Sequence, residues 1–565
     1  MSLTDWIVMC GFIGFIVAYG TWKTRKINNM NDYHRAGRTT PWWTVALSIM
    51  ATQASAITFL STPGQAYVDG MRFLQFYLGL PIAMIILAVT AVPIYNKLNV
   101  FTAYEYLENR FDLKNRILGS VLFLSQRGLA AGFTIYAPAL ILSVILGWEI
   151  NYTILIIGTL VIIYTTVGGS NAVNKTHLLQ MGVITFGMFA AFYMIYQLLP
   201  DEVSVVDAAY VAGKMGKLNA IDFTFDLSNR YTFWSGIIGG TFLMLSYFGT
   251  DQSQVQRYLA GSSIKQSRIG LIVNGLVKIP MQFIILFIGA MVFVFFQFIA
   301  PPIYFNPVET RNILNSEYAE EYQQLEESYV QLQEEKKQDI LEMLSAIKNN
   351  DELKEASLKK EILEKENSAK EIREQAVGLI KTANPLSDGN DTNYIFISFI
   401  INFLPIGLIG LILAAILSAS MSSTSAELNA LASTSVIDIY KRLIKKDGSE
   451  KHYLKMSKIT TIFWGMYAIT FALFASELGS LIEAVNILGS LVYGTILGIF
   501  LCAFYIKKAN GSSVFYSALI AEAVVLYAYL FTDIPFLWYN VIGCTLVVIF
   551  SLILTPLFNK VERIG

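Results

Sequence analysis

The sequence is poor in cysteine, histidine and charge. Its 565 residues include three cysteines and three histidines, and neither type recurs at a spacing that would ligate a metal. Cys10, Cys502 and Cys544 all lie in or beside apolar runs, so a disulfide framework is not expected. The chain carries 41 Lys and Arg against 42 Asp and Glu, a balance that does not indicate a nucleic-acid partner.

The motifs of soluble catalysts and pumps are also missing from the sequence. We find no phosphate-binding loop, no pair of catalytic carboxylates in a soluble domain and no nucleotide-binding domain that could drive a pump. Repeated short filter loops, which are typical of single-chain pores, are not found either. The sequence therefore predicts that the chain is not an enzyme, and it does not favour a pore.

The chain is instead rich in long apolar runs. Hydrophobic residues make up 54% of it and charged residues 15%, whereas a soluble protein carries about 25% charged residues. Many runs reach the roughly 20 residues that a helix needs to cross a bilayer. We predict an all-α, multi-pass membrane protein with thirteen transmembrane helices, near residues 6–23, 41–63, 73–96, 118–147, 152–168, 177–199, 232–250, 269–299, 393–425, 457–476, 482–505, 511–531 and 535–558.

The basic residues of the short loops lie on alternate sides of this arrangement. Lys and Arg follow the odd-numbered spans, as in the loop 441–455, whereas the loops around Glu149 and Asp533 contain neither. Because positive loops stay in the cytoplasm, we expect the N-terminus outside and the C-terminus in the cytoplasm. The odd number of spans agrees with this orientation.

One segment, residues 302–392, is strongly charged and separates the spans 1–301 from the spans 393–565. Apolar residues recur in it at helical spacing, first along 314–332 and again at Leu353, Leu358, Ile362 and Leu363. We predict an extramembrane, extracytoplasmic helical hairpin. The segment is either a solvated insertion with no part in transport or an arm that docks a partner, and the sequence names no partner.

A predicted membrane helix between Ala414 and Tyr440 is dense in hydroxyl side chains. Lipid cannot satisfy so many polar groups, so they must face protein, water or an ion. Neutral oxygen ligands of this kind suit a monovalent cation. Small hydroxyl residues also let membrane helices pack closely, and these residues alone do not decide between a cation site and close packing.

Two predicted spans are interrupted by polar residues. The second span has Thr52, Gln53 and Ser55 within its apolar run, and the seventh contains the sequence YFGTDQ over 247–252. A helix of this content can unwind locally, and its freed carbonyls can then bind a cation. Two interrupted helices five spans apart are typical of an inverted repeat of five helices.

Several segments resemble the solute:sodium symporter family. They are GRTTPWWTVALSIMATQASA (37–56), TAYEYLENRF (102–111), IYAPALIL (135–142), GTDQSQVQRYLAGSS (249–263) and SMSSTSAELNALASTSVIDIYKR (420–442). The resemblance covers nearly all of the chain outside the charged segment. It implies a leucine-transporter-like fold of five helices plus five inverted, with one helix in front and two behind. It also implies alternating access driven by sodium, in a bacterial inner membrane.

The resemblance also implies a sodium site. Its ligands would be the backbone carbonyls of Ala51, Ala54 and Ala419 and the hydroxyls of Ser422 and Ser423. The last three positions are spaced i, i+3 and i+4, so they share one helical face. Na⁺ would enter with the solute as the coupling ion.

A second sodium site of the family is not matched cleanly. His177 stands where many members have an acid, Ser425 keeps a hydroxyl, and Ala426 replaces the next one. Glu427 is an intramembrane acid beside them. We hypothesise that His177 and Glu427 form a fixed or protonatable pair that replaces the second ion. The alternative is that Glu427 faces an inner vestibule and His177 only caps its helix.

The resemblance predicts a solute pocket between the interrupted helices. Most polar positions expected in sugar carriers are lost, so the pocket is too apolar for an ordinary hexose, whose hydroxyls would stay unpaired. Lys278 matches a solute-contacting lysine, although snorkelling or a structural ion pair would also explain it. The predicted pocket and gate residues are Thr58, Tyr77, Tyr136, Tyr247, Phe248, Lys278 and Asn486.

Segments 102–111 and 135–142 are most similar to the branch that carries monocarboxylates, iodide and water-soluble vitamins. We therefore predict a sodium-coupled symporter that imports a small organic solute, first of all a monocarboxylate-like anion. A sugar or polyol is the alternative solute. A sensor or scaffold that acts through the charged segment is the alternative from another class of protein.

Overall fold

The computed structural model describes residues 1–24, 40–53, 55–98, 100–385, 387, 389–474 and 480–562, and in this part of the chain the fold is helical. Short 3₁₀ (Gly70–Tyr77) and π (Ser235–Gly239, Ser435–Ile444) segments supplement the α-helices. The helices are α1 Leu3–Thr24, α2 Trp42–Gln53, α3 Ala56–Asp69, α4 Leu80–Val89, α5 Ala91–Leu98, α6 Glu105–Arg110, α7 Leu113–Leu146, α8 Ile150–Leu198, α9 Val205–Lys214, α10 Gly240–Thr250, α11 Gln252–Leu259, α12 Ile264–Phe298, α13 Pro307–Leu314, α14 Ala319–Lys348, α15 Glu352–Ala383, α16 Thr392–Phe403, α17 Leu408–Thr434, α18 Glu450–Ala472, α19 Leu481–Tyr505, α20 Gly511–Phe531 and α21 Phe536–Glu562.

The first predicted interruption is confirmed by a break between α2 and α3. α2 ends at Gln53, and Ser55 is extended, with φ −77° and ψ 179°. The Thr58 hydroxyl donates to the Gln53 carbonyl at 3.0 Å and so holds the two halves together. The end of α2 leaves carbonyls without intrahelical partners.

The second predicted interruption is confirmed by a break between α10 and α11. Asp251 is extended there, with φ −75° and ψ 118°, and its side chain caps α11 by accepting from the Ser253 amide at 2.9 Å. Carboxylates favour a helix N-terminus because they satisfy free amides and complement the helix dipole. This break therefore carries a charge that the first break lacks.

The hydroxyl-rich helix α17 lies at the centre of the fold, where it packs against α1, α2, α3, α7 and α8. Its hydroxyls partly serve close packing, since Ser420 and Thr424 both donate to the Thr134 carbonyl of α7, at 2.9 and 3.1 Å. Others turn back on their own helix. The position of α17 is compatible with both roles that the sequence predicts for its hydroxyls, a cation site and close helix packing.

The predicted span 393–425 is wrong, because the structure has two helices there. α16 ends at Phe403 and α17 begins at Leu408. Pro405 lies between them and cannot donate to a helical ladder, and Gly407 has φ +86°, a conformation that glycine adopts without strain.

The separation of the predicted spans 152–168 and 177–199 is also wrong, because both lie in the single helix α8. No proline lies between them, so nothing removes a donor from the backbone ladder. Eight helical stretches of the described residues are long and apolar enough to cross a membrane, and Leu3–Ile16, Ile150–Thr166 and Thr392–Phe403 are shorter apolar helices. The total of thirteen stays a prediction.

The charged segment contains two long helices, α14 and α15, which pack along each other in opposite directions. Tyr322 and Tyr329 of the predicted seam are buried, as are Leu358 and Ile362. Leu314, Leu353 and Leu363 were predicted on the same faces and are exposed. Leu353 lies in the first turn of α15, at a position of the helical period that does not face the seam.

Candidate functional site

A cavity of about 90 Å³ lies between the two helix breaks. Both halves of the first break line it, together with α7, α10, α12, α17 and α19. Part of the lining is apolar, from residues such as Phe76, Leu243 and Val485. The predicted pocket region thus contains a cavity with a mixed polar and apolar lining.

Arg127 of α7 is the most connected charged group at this cavity. Its Nη1 donates to Glu427 Oε1 at 3.1 Å, its Nη2 to the Tyr493 hydroxyl at 2.7 Å, and its Nε to Asp251 Oδ2 at 3.0 Å. Arg127 and Asp251 also form an ion pair through Nη2. The guanidinium therefore joins α7, the second break, α17 and α19.

Asp251 is fully engaged in the same network. The Tyr493 hydroxyl donates to its Oδ2 at 2.9 Å, and the hydroxyl of Ser253 donates to its Oδ1 at 2.6 Å. Buried charges are costly unless they are paired and hydrogen-bonded, and these contacts meet both conditions. The second break is therefore held in place by the protein's own cation.

Glu427 is bound on both of its oxygens. Besides Arg127, the Thr134 hydroxyl donates to Glu427 Oε2 at 3.0 Å. The side chain of His177, the partner that the sequence suggested, lies outside the described residues, so the predicted pair stays a prediction. Ser425 is fully buried in α17. Glu427 does line the cavity, but its exposed fraction is only 5%.

Lys278 of α12 presents the other positive charge. Its exposed fraction is 1%, it lines the cavity, and its Nζ lies 5.6 Å from the centre of the Tyr77 ring. Among the described residues no carboxylate forms an ion pair with it. A cation over an aromatic face is stabilised by the ring quadrupole, but its charge is not neutralised.

Of the predicted pocket residues, Thr58, Tyr77, Tyr247, Lys278 and Asn486 line the cavity. The structure does not bring the two other predicted residues to its wall. Phe248 is buried behind Tyr247, with ring centres 4.9 Å apart.

Tyr136 is the other predicted pocket residue that lies away from the cavity wall, buried elsewhere along α7. It follows Arg127 by nine residues, which is two and a half helical turns. Its side chain therefore leaves the opposite side of the helix.

The predicted sodium-site residues lie in the helices that meet at the first break. Ala51 is in the last turn of α2, and Ala419, Ser422 and Ser423 are buried in α17, which packs against α2 and α3. The Ser423 hydroxyl lies 3.2 Å from the Ala419 carbonyl. Ala54 lies outside the described residues. The donor set of carbonyls and hydroxyls suits a hard monovalent cation.

Sequence reasoning missed Arg127, Tyr493 and the role of Asp251. The signal was available for Arg127, because an ionisable residue inside an apolar helix marks a functional or structural site by default. Its partners were not readable, because they lie 124, 300 and 366 residues away along the chain.

Comparison with known proteins gives a family match over most of the chain. The model described as "Sodium:solute symporter family" matches residues 33–322 and 378–521. That family consists of sodium-coupled transporters and not of enzymes.

Two relatives illustrate the range of similarity. The sodium/sialic acid symporter SiaT of Proteus mirabilis is 26% identical over 99% of this chain and 96% of its own length. The human sodium-coupled monocarboxylate transporter 1 is 33% identical over 48% of this chain and 44% of its own length.

A solved structure also matches the whole chain. It is described as the substrate-bound outward-open state of a Na⁺-coupled sialic acid symporter with a novel Na⁺ site. Its TM-score is 0.75 at 25% identity, and the match covers 98% of both chains.

Proposed function

We propose, since the chain belongs to the sodium:solute symporter family, that this Na⁺-coupled multi-pass membrane transporter imports a small carboxylate anion. Sodium moving down its gradient would drive uptake by alternating access across a bacterial inner membrane. The observation that carries the choice of solute is Lys278, a buried lysine at the cavity that forms no ion pair with a carboxylate in the described part of the chain.

The pairing of the charged groups supports an anionic solute. Arg127 is already paired with Asp251 and Glu427; this group of three has a net charge of −1, which Lys278 brings to zero. An anionic solute that enters with one Na⁺ keeps that sum. Lys278 is therefore the cation that remains available for a solute carboxylate. A carboxylate that replaced water around a buried ammonium would form a charge-assisted hydrogen bond, which is stronger than a neutral one.

The size of the cavity supports a solute of few atoms. Its 90 Å³ is far below the roughly 300–1,000 Å³ of pockets that hold drug-sized ligands. A monocarboxylate is the candidate solute that best fits a cavity of this volume. Sialic acid is the second candidate, because relatives that are similar over their whole length carry it, and it also bears a carboxylate.

For sodium, we propose the site formed by Ala51, Ala54, Ala419, Ser422 and Ser423. The break at the end of α2 frees carbonyls, and α17 brings its hydroxyl face against that helix. If α2 tilts away from α17 during transport, the ligand set separates and the ion is released. Coupling then follows from geometry, because the ion stabilises only the arrangement in which both helices meet.

The proposed orientation places the N-terminus and the charged helices α14 and α15 outside, and the C-terminus in the cytoplasm. Asp5 in the first turn of α1 accepts from the Gly407 amide, 2.7 Å away at the start of α17. α17 follows the charged segment closely, so the N-terminus and that segment share one side. The basic loops lie on the other side, as the positive-inside rule requires.

Uptake into proteoliposomes tests the function directly. We expect sodium-dependent accumulation of a labelled monocarboxylate or sialic acid, no accumulation when choline replaces Na⁺, and little of a neutral hexose. Lys278→Met should raise the KM for the acid at least tenfold. Lys265→Met, which changes an exposed lysine of the same helix, is the control. Unchanged uptake by Lys278→Met would contradict the role of this residue.

A further inference from the structure

A second cavity lies outside the proposed transport site. It encloses about 390 Å³ between the charged helices α14 and α15 and the C-terminal end of α3. Tyr67 and Val68 of α3 and Phe293 of α12 form its inner wall. Its volume falls in the range of roughly 300–1,000 Å³ that is usual for small-molecule sites.

Two neutral ion pairs line this cavity. Lys336 Nζ, on a side chain with 1% exposure, lies 2.7 Å from Glu366 Oε2 and joins α14 to α15. Arg373 Nη2 binds both oxygens of Asp391, at 2.8 and 2.9 Å. The two pairs fix the walls, and neither leaves a net charge.

Lys217 adds a positive charge that these pairs do not balance. Its Nζ donates to the Val68 carbonyl at 2.6 Å and lies 4.4 Å from the centre of the Phe293 ring. Among the described residues no carboxylate forms an ion pair with it. Burial lowers the pKa of Lys217 to about 8, so it still carries its proton at pH 7.

Gln333 adds an unused acceptor to the same cavity. Its exposed fraction is 5%, and its Oε1 has no hydrogen-bond partner among the described residues. A buried acceptor without a donor destabilises the protein, and a ligand hydroxyl or amide would supply the missing donor. Lys370 and Glu374, which carry opposite charges, also line the cavity. The cavity thus offers Lys217 to an anionic oxygen and the Gln333 oxygen to a donor.

We propose that a small hydroxylated carboxylate binds in this second cavity, with its carboxylate at Lys217 and its hydroxyl at Gln333. The inference rests on the proposed function for the class of solute. The site adjoins α3, the second half of the first broken helix, because Tyr67 and Val68 line it. α3 also packs tightly against α16, since a Cβ at Gly64 would clash with the Thr392 carbonyl oxygen. A bound acid would therefore contact both the charged helices and α3.

Equilibrium binding of radiolabelled lactate and of radiolabelled sialic acid to the purified full-length protein tests this proposal. We expect two molecules of one of these acids per chain. Lys278→Met should remove only the central binding event, and Lys217→Met should weaken only the second, by at least tenfold. Lys360→Met, at a side chain of α15 that is 80% exposed, should bind as the wild type does.

Two further measurements guard against a variant that merely misfolds. Lys217→Arg keeps the charge and should keep the second binding event. Raising the pH from 7 to 9 deprotonates Lys217 and should weaken that event in the wild type. The charged groups that also act on Lys217 are Glu366, Lys370, Asp69 and Lys336. Because burial also lowers the pKa of Lys336, Lys217→Arg is the control for the pH change: arginine keeps its proton at pH 9, so binding to this variant should not weaken.

The outcomes separate the two proposals. One binding event per chain that Lys217→Met does not change would overturn the second site and leave the transport function standing. A Lys217-dependent event without sodium-driven uptake would support the second site and contradict the transport function. No binding of either acid to the wild type would overturn the second site.

Discussion

The two helix breaks resemble each other in backbone and differ in charge. The first, after Gln53, is lined by hydroxyls and carbonyls, and the Thr58 hydroxyl bridges its two halves. The second carries Asp251, which Arg127 and Tyr493 hold. A neutral break keeps oxygen ligands available for an ion, whereas a charged break is neutralised by the protein itself. The difference supports the proposed ion site at the first break and indicates a structural anchor at the second.

The largest expected effect is at the second break. Arg127→Met leaves the carboxylates of Asp251 and Glu427 buried without their cation, and breaking a buried pair costs about 3–5 kcal/mol. We expect a large fall in the thermal unfolding temperature of the purified protein and loss of uptake. The double variant Arg127→Met/Asp251→Asn should recover part of the stability. If Arg127→Met alone unfolds at the wild-type temperature, the anchoring role is wrong.

A smaller effect is expected at the first break. Ser423→Ala removes one proposed sodium ligand and should raise the Na⁺ concentration for half-maximal uptake about tenfold, equivalent to about 1.4 kcal/mol. The protein should remain folded. Ser433→Ala, which changes a buried serine near the C-terminal end of α17, is the control. Equal sodium dependence in both variants would remove Ser423 from the ligand set.

The smallest expected effect concerns the bridge across the first break. Thr58→Val keeps the shape of the side chain and removes its hydrogen bond to the Gln53 carbonyl, which is worth about 1 kcal/mol. We expect a few-fold change in sodium affinity and a small loss of stability by thermal unfolding. An effect as large as that of Arg127→Met would show that the first break is also a structural anchor.

The positions of both breaks could be predicted because their causes are local. Polar residues within an apolar run, as at Thr52 and Gln53, mark a helix that can unwind. Helix boundaries were less predictable where the local signal is not decisive: Gly168 and Gly169 lie between the two apolar parts of α8, yet the helix continues through them. At Pro405 a local signal does end the helix, although the apolar run continues past it.

The candidate site was predicted in part. Thr58, Tyr77, Tyr247, Lys278 and Asn486 do line the cavity, and their positions came from family resemblance rather than from periodicity. Tyr136 was placed wrongly relative to the wall, although its distance of nine residues from Arg127 could have indicated the opposite face. The predicted sodium ligands are compatible with the meeting of α2 and α17, and Ser423→Ala is their test.

The sequence by itself determined that this chain is a helical membrane protein, where its polar interruptions lie, and which family it resembles. These properties depend on hydropathy and on motifs, which are local. Only the tertiary structure decided that Arg127 pairs with both Asp251 and Glu427, while Lys278 has no carboxylate partner among the described residues. Ion pairing depends on which helices approach within a few ångströms, and that is set by the packing of segments far apart along the chain.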